Sequence, residues 1–220
     1  MNEQHYDIVI AGGGMIGTSL ALALAPLGLR IAVVEAIARQ EAAQPSFDER
    51  STALSRSTQR MFEAMGLWEE IVAASTPITS IHVSDQGRFG FSHIDADEQG
   101  VEALGYVVIN RVLGEVLQRT LTDCPEVTVL CPARIVDIAL EDDAAAATVV
   151  IEEGEQRQLT CSLLVAADGA NSTVREMMGI TAEKSSYGQR AVIGNLLPEK
   201  PIDNVAYERF TSQGPLAMLP

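Results

Sequence analysis

The hydrophobic pattern opens with residues 6–11 (YDIVIA), a short apolar run that ends in three glycines and predicts a buried strand. Residues 15–27 follow as an apolar stretch that predicts a buried helix, with Gly28 placed to end it. A β-branched run at 30–35 (RIAVVE) completes a strand–helix–strand unit. Such a unit implies a parallel pair joined by a right-handed crossover.

Farther along, 36–50 is polar and irregular around Pro45. Residues 57–74 predict one helix with Met61, Phe62, Met65, Leu67 and Trp68 on its apolar face; Met61, Met65 and Trp68 are expected in the core. Residues 80–84 and 89–93 flank Asp85-Gln86-Gly87-Arg88 and predict a hairpin. A strand at 106–109 leads into a helix over 110–121 that Asn110 would cap. Runs at 127–130, 134–140 and 148–152 predict a small β-meander with an acidic turn, which holds the alanine run 144–147. Residues 163–167 predict a buried strand, followed by a short helix over 172–178. From Tyr187 the alternation changes, and 190–196, 205–211 and 216–219 predict strands of a second, β-rich region. The expected division is 1–182 and 183–220, with the second region expected to continue past Pro220.

Composition alters this picture little. Hydrophobic residues are 47% and charged residues 20%, as in ordinary globular chains and unlike disordered ones. The apolar stretch 15–29 is broken by Thr18, Ser19, Pro26 and Gly28, too short for a bilayer span, and no basic segment precedes it as in a secretory signal. Cys124, Cys131 and Cys161 lack CxxC spacing and are expected as reduced thiols of a cytoplasmic protein. Net charge is −15, which opposes nucleic-acid backbones and anionic lipid alike.

The chemistry begins at Gly12, Gly14 and Gly17, a GxGxxG between a strand and a helix. The first glycine permits a tight turn, the second lets backbone approach a pyrophosphate, and the third allows close helix–strand packing. Met15 and Ile16 open the helix, whose N-terminus offers N–H donors and the positive end of a dipole. Glu35 ends the next strand, 18 residues beyond Gly17, where an acid accepts from an adenosine ribose. The plainer alternative is a glycine-rich turn with a surface glutamate. The fingerprint does not separate FAD from NAD. A second motif, Asp168-Gly169-Ala170-Asn171-Ser172-Thr173-Val174-Arg175, follows the strand LLVAA. Asp168 thus lies at a strand's carboxyl end, where α/β proteins make ligand contacts; locally the same residues read as a strand–turn–helix capped by Asn171 or Ser172. His5, His82 and His93 lack a further ligand for zinc, so no metal site is expected. There is no GxSxG elbow.

DGANSTVR resembles the DGxxSxxR motif of the single-component flavin aromatic hydroxylases, the para-hydroxybenzoate hydroxylase group. AGGGMIG with Glu35 is similar to their FAD fingerprint, and Phe47-Asp48-Glu49-Arg50 with Thr52-Ala53-Leu54-Ser55 to a further segment. His82-Val83-Ser84-Asp85-Gln86-Gly87, Gly90-Phe91, Glu208-Arg209-Phe210 and 214–220 resemble the ubiquinone-biosynthesis branch, which includes 2-polyprenyl-6-methoxyphenol hydroxylases. The resemblance runs along essentially the whole chain. It implies an α/β fold: a Rossmann-like FAD-binding domain of the GR2 type over 1–182, with the start of a β-rich substrate domain over 183–220. It implies FAD as cofactor, NAD(P)H as transient co-substrate, and O2-dependent hydroxylation of a polyprenyl phenol.

By position, the likeness places Arg50 against the FAD pyrophosphate and Asn110 with Arg111 at the flavin's ribityl chain. Asp168, Gly169 and Arg175 would serve FAD and the nicotinamide. No protein acid or base is singled out as catalytic. A Gly-Asp motif that this family carries later is not within the 220 residues, and the chain is expected to be the N-terminal part of a longer protein. Expected partners are the lipid phenol and O2, no nucleic acid, and membrane contact through the C-terminal half at the inner face. A ubiquinone-biosynthesis complex and a homo-oligomer stay open. Alternatives are a flavin- or NAD-dependent dehydrogenase of a small soluble molecule and a non-catalytic dinucleotide-binding module.

Overall fold

The computed structural model describes residues 4–38, 48–140, 147–153 and 155–220. The irregular stretch around Pro45 and Phe47 and the acidic turn at 141–146 lie outside the described residues.

In chain order, β1 (Gln4–Ala11), α1 (Met15–Leu24), a 3-10 turn (Ala25–Leu27) and β2 (Ile31–Val34) form the opening unit. Next come β3 (Ser51–Ser55), α2 (Arg56–Ala64), α3 (Trp68–Ala73), β4 (Ser75–Ile78), β5 (Ser80–Asp85) and β6 (Phe91–Asp95). Then follow β7 (Gly105–Ile109), α4 (Asn110–Thr122), β8 (Val127–Leu130), β9 (Arg134–Leu140) and β10 (Ala147–Glu153). The last elements are β11 (Glu155–Ala166), α5 (Thr173–Met177), β12 (Val205–Thr211) and β13 (Gly214–Met218).

Two compact units result, residues 1–47 with 117–191 and residues 48–116 with 192–220. This division differs from the expected boundary at 182/183. Residues 48–116 close with 192–220 because β12 pairs in parallel with β5, from Val205↔Ser80 to Phe210↔Asp85.

The first unit is built on a six-stranded sheet in the order β8-β2-β1-β11-β10-β9. The first four strands run parallel, and β10 and β9 are antiparallel additions. All four residues of β2 are buried, as an apolar run in a parallel sheet requires. Val9, Val34, Ile135, Val149, Ile151, Leu159 and Val174 belong to one core cluster. The 12-residue strand β11 pairs with β10 over its first part and with β1 over its second, so one strand carries both the meander and the parallel sheet.

Three expectations change here. Residues 127–130 are not in the meander but lie parallel to β2, because α4 carries the chain across to that edge. Residues 163–166 are not a separate buried strand but the end of β11, with Ala167 beyond it and Leu163 exposed. Residues 190–196 hold no strand, and Val192 and Leu196 are 98% and 88% exposed. Alternation makes a strand only where a neighbour takes up the N–H and C=O groups, and this segment has no ladder partner among the described residues.

The second unit holds a four-stranded sheet, β13-β12-β5-β6, and a three-stranded sheet, β3-β7-β4. Ile78, Val107 and Ala206 are buried together, with Ile81 against them. The helix expected over 57–74 is two helices, broken at Gly66 with φ +72°. Ser55 caps α2 by accepting from the Thr58 N–H at 3.2 Å. Trp68 packs edge-on against Tyr106 with centroids 4.8 Å apart, whereas Met61 is 59% exposed and not in the core.

Candidate functional site

The carboxyl ends of β2, β1 and β11 line up in the first unit. Ala11 pairs with Val34 on one side and Ala166 on the other. Glu35, Gly12 and Asp168 therefore emerge within two residues of a common row, held by Gly12 N–H to Val34 O (2.8 Å) and Ala167 N–H to Ala11 O (2.8 Å). Open α/β sheets bind ligands outside the carboxyl ends of their parallel strands, the position these three residues occupy.

Gly12 and Gly17 stand where a side chain has no room. Gly12 has φ +100°, and a Cβ there would lie 2.5 Å from the Ala167 carbonyl oxygen. At Gly17 a Cβ would fall 1.9 Å from the Gly12 carbonyl oxygen, so the helix packs on the loop only without a side chain. Gly14 precedes α1 as its N-cap, without a capping side chain. Helix geometry leaves the N–H groups of Met15, Ile16 and Gly17 without intrahelical partners. Gly13, which the motif leaves unspecified, is also closely approached: its Cβ would lie 3.0 Å from Glu35 Cβ, so the Glu35 side chain would have to shift by a few tenths of an ångström. The third consecutive glycine was the signal for it.

Glu35 is held from several sides. Its Oε2 accepts from the Gly13 N–H at 2.6 Å and its Oε1 from the Ile37 N–H at 2.7 Å. Its own backbone bonds Leu130 and Ala133. Each carboxylate oxygen keeps a further lone pair for a ligand hydroxyl. Asp168 follows β11, with Gly169 at φ +87° behind it. Asp168 Oδ2 accepts from the Thr173 and Val174 N–H groups at 2.8 and 3.2 Å, while Oδ1 is shielded from solvent and has no partner among the described residues. Burial raises the Asp168 pKa, but hydrogen bonds from the Ser172 hydroxyl and the Val174, Asp168 and Thr173 backbone outweigh it and hold the carboxyl below its ordinary value. Ser172, not Asn171, caps α5 by accepting from the Arg175 N–H at 3.0 Å. Arg175 Nη2 donates to the Ala170 carbonyl at 3.0 Å, bracing the same turn.

The remaining candidates lie in the second unit, close to one another. Arg50 Nε donates to Asp48 Oδ2, and the Arg50 carbonyl accepts from the Asn110 N–H at 2.8 Å. Asn110 begins α4, its amide oxygen accepting from Thr52 Oγ1 and its Nδ2 donating to Asp48 at 3.4 Å. Burial raises the Asp48 pKa, but hydrogen bonds from the Arg50 backbone and side chain lower it further. Arg111 donates to Glu49 at 2.7 Å and Glu115 at 2.8 Å, and these bonds raise its pKa.

The histidines separate. His5 Nδ1 is 3.0 Å from Thr160 Oγ1 in the first unit, whereas His82 and His93 face each other in the second, with ring centroids 6.1 Å apart. Among the described residues no group of three metal-ligating side chains is placed to hold a metal, and no helix is long and apolar enough to cross a membrane.

The three glycines, the free lone pairs of Glu35 and the unpartnered Asp168 Oδ1 fit a dinucleotide: a backbone cradle for a pyrophosphate beside acceptors for hydroxyls and for an ordered water. A family model for an FAD binding domain matches residues 5–214. The chain is 34% identical over 215 residues to the ubiquinone hydroxylase UbiL of Rhodospirillum rubrum, covering 97% of this chain and 49% of that protein. It is 31% identical over 224 residues to the 3-demethoxyubiquinol 3-hydroxylase of Escherichia coli, covering 100% and 56%. Among solved structures, Pseudomonas aeruginosa PqsL in complex with 2-aminobenzoylacetate superposes with a TM-score of 0.68 at 26% identity, over 84% of this chain and 48% of that one. The chain spans about half the length of the curated relatives it matches.

Proposed function

The chain belongs to the FAD-binding domain family, and from that membership we propose that it is the FAD-binding part of an aromatic-ring hydroxylase acting on a polyprenyl phenol in ubiquinone biosynthesis. The observation that carries the cofactor is the row of Gly12, Glu35 and Asp168 at the ends of three adjacent parallel strands. The substrate class draws its support from relatives along the full chain that are named as a ubiquinone hydroxylase and a 3-demethoxyubiquinol 3-hydroxylase.

FAD, when bound, supplies the electron transfer and oxygen chemistry, with NAD(P)H as the transient donor and O2 as co-substrate. The residues of this chain bind and orient it. Gly12, Gly14 and the first N–H groups of α1 at Met15 and Ile16 would take the pyrophosphate, and Gly17 lets that helix approach. Glu35 would accept the adenosine ribose hydroxyls, and the buried, unpartnered Asp168 Oδ1 an ordered water. Arg50, Asn110 and Arg111 would serve the pyrophosphate and ribityl chain. There Arg50 and Arg111 would exchange some of their carboxylate pairing for ligand contact, which costs little because both ion pairs are exposed to solvent. Gly169 and Arg175 shape the Asp168 turn.

The protein would work in the cytoplasm at the inner face of the membrane. In a protein of the relatives' length, lipid contact falls to the remainder of the polypeptide, and association with other ubiquinone-biosynthesis proteins or with a second copy belongs to the same proposal.

The test begins with titration of the protein with FAD, followed by the change in the flavin's visible band, and separately with NAD, followed by equilibrium dialysis. A flavin band that saturates with FAD alone supports the reading; saturation by NAD alone turns it toward a dehydrogenase. On a chain of the relatives' length, oxygen-18 from labelled O2 is expected in the phenol product. NAD(P)H oxidation indifferent to phenols would instead leave a non-catalytic binding module.

A further inference from the structure

Three consecutive glycines are the loosest stretch a chain can contain, because glycine gives up the most conformational freedom on folding. In this loop the middle one is fixed on both sides. The Gly13 carbonyl accepts from Thr18 Oγ1 at 3.0 Å and from Gln118 Nε2 at 3.0 Å, which occupies both of its lone pairs. The N–H of the same residue donates to Glu35 Oε2 at 2.6 Å, a short charge-assisted bond. Gly13 and Thr18 are buried and Gln118 is half-buried. Thr18 is a local partner in the first turns of α1, whereas Gln118 reaches the loop from α4, 105 residues along the chain.

We propose that Gln118 is a positioning residue for the adenosine end of the site: its amide tethers the Gly13 carbonyl, and the fixed Gly13 N–H in turn holds the Glu35 carboxylate in its binding orientation. The inference rests on the FAD reading. The two carboxylate oxygens are anchored by different backbone groups, Gly13 and Ile37. Release of Gly13 therefore leaves the carboxylate with one anchor and freedom to rotate. Packing of α4 does not depend on the amide, because the neighbouring Leu117 and Leu121 are 0% and 2% exposed and supply the buried contact. The advantage is pre-organisation: the loop is ordered before the ligand arrives, so binding does not have to order it.

Gln118→Glu tests the tether in the same chain, since a glutamate of nearly the same shape is acceptor-only at neutral pH and cannot donate to the carbonyl. Amide hydrogen exchange of the ligand-free protein is the first readout. Exchange at Gly13 is expected to quicken by about tenfold, the scale of one lost hydrogen bond, with Val9 and Ile10 of β1 unchanged. ADP affinity, measured by equilibrium dialysis, is the second: a loss of about tenfold is expected, and it should vanish in a Glu35→Gln background. Unchanged Gly13 exchange, or equal quickening at Gly13 and throughout β1, would overturn the proposal. A Gly13 response with ADP bound by neither chain would support the tether and overturn the FAD reading alone.

Discussion

At Gly17 a single hydrogen atom separates a packed site from a collision. Replacement by alanine puts a methyl 1.9 Å from the Gly12 carbonyl oxygen, a backbone atom that cannot turn aside. Gly17→Ala is expected to cost ~3 kcal/mol or more in urea unfolding and to abolish FAD binding. Gly28 is a control of a different kind: it has φ +71° and nothing within 4 Å of the added Cβ. Gly28→Ala should cost only the left-handed penalty of ~1–2 kcal/mol. Equal losses at the two positions would mean that close packing is not what Gly17 provides. Tyr6 makes the opposite case. Its ring belongs to the first unit's core, yet its hydroxyl has no partner among the described residues. A buried unpaired hydroxyl is a cost, so Tyr6→Phe is expected to gain ~1 kcal/mol in the same assay; a lower urea midpoint would show that the hydroxyl is satisfied. The motif glycines and Glu35 are legible in the sequence because each obeys a local rule of spacing. Gln118 is not, because a lone glutamine on a helix carries no mark of a carbonyl 105 residues away.

Among the elements, α5 depends most directly on one charge. It has five residues, too few to be stable alone, and its N-terminal N–H groups are taken by Asp168 Oδ2 and Ser172 Oγ. The Asp168 pKa is lowered below its ordinary 3.8, so its ionised form favours the folded state. That contribution is fully present above the unfolded value and is lost as pH falls through the folded one, so α5 should loosen only below about pH 4. Asp168→Asn keeps an acceptor but removes the titration. Hydrogen exchange at Val174 and Arg175 between pH 5 and 2.5, corrected for intrinsic rates, is expected to show falling protection in the parent and a flatter profile in the variant. Identical profiles would sink the assignment. The sequence showed β1, α1, β2 and α5 clearly, since each has a local pattern with a cap or glycine at its end. It did not show β3 (STALS) or β4 (STPI), which are short and polar and exist because β7 lies between them. It also gave residues 190–196 a strand pattern, but whether a pattern becomes a strand depends on a pairing partner that the pattern does not name.

The whole molecule carries 30 acidic against 15 basic side chains, a net charge of −15. Each basic residue near an anionic leaflet contributes about 1 kcal/mol of attraction, and an excess of acids reverses the sign over a Debye length of about 10 Å at 0.1 M salt. The proposed substrate is a membrane lipid, so charge and function pull in opposite directions for these residues. The resolution we expect is that this part of the polypeptide manages the cofactor and takes no part in holding the bilayer. Hydrophobic insertion could override the charge, and the second unit does expose Phe89 and Phe91 around the turn between β5 and β6. Sedimentation with vesicles separates the two effects. Against vesicles rich in anionic phospholipid the chain is expected to stay in the supernatant at low salt, and equally with zwitterionic vesicles. Binding to both would point to the phenylalanines, and Phe89→Ser with Phe91→Ser should then release it. Binding to anionic vesicles alone, weakened by salt, would require a concentrated basic surface despite the overall charge and would overturn the division of labour between cofactor and membrane.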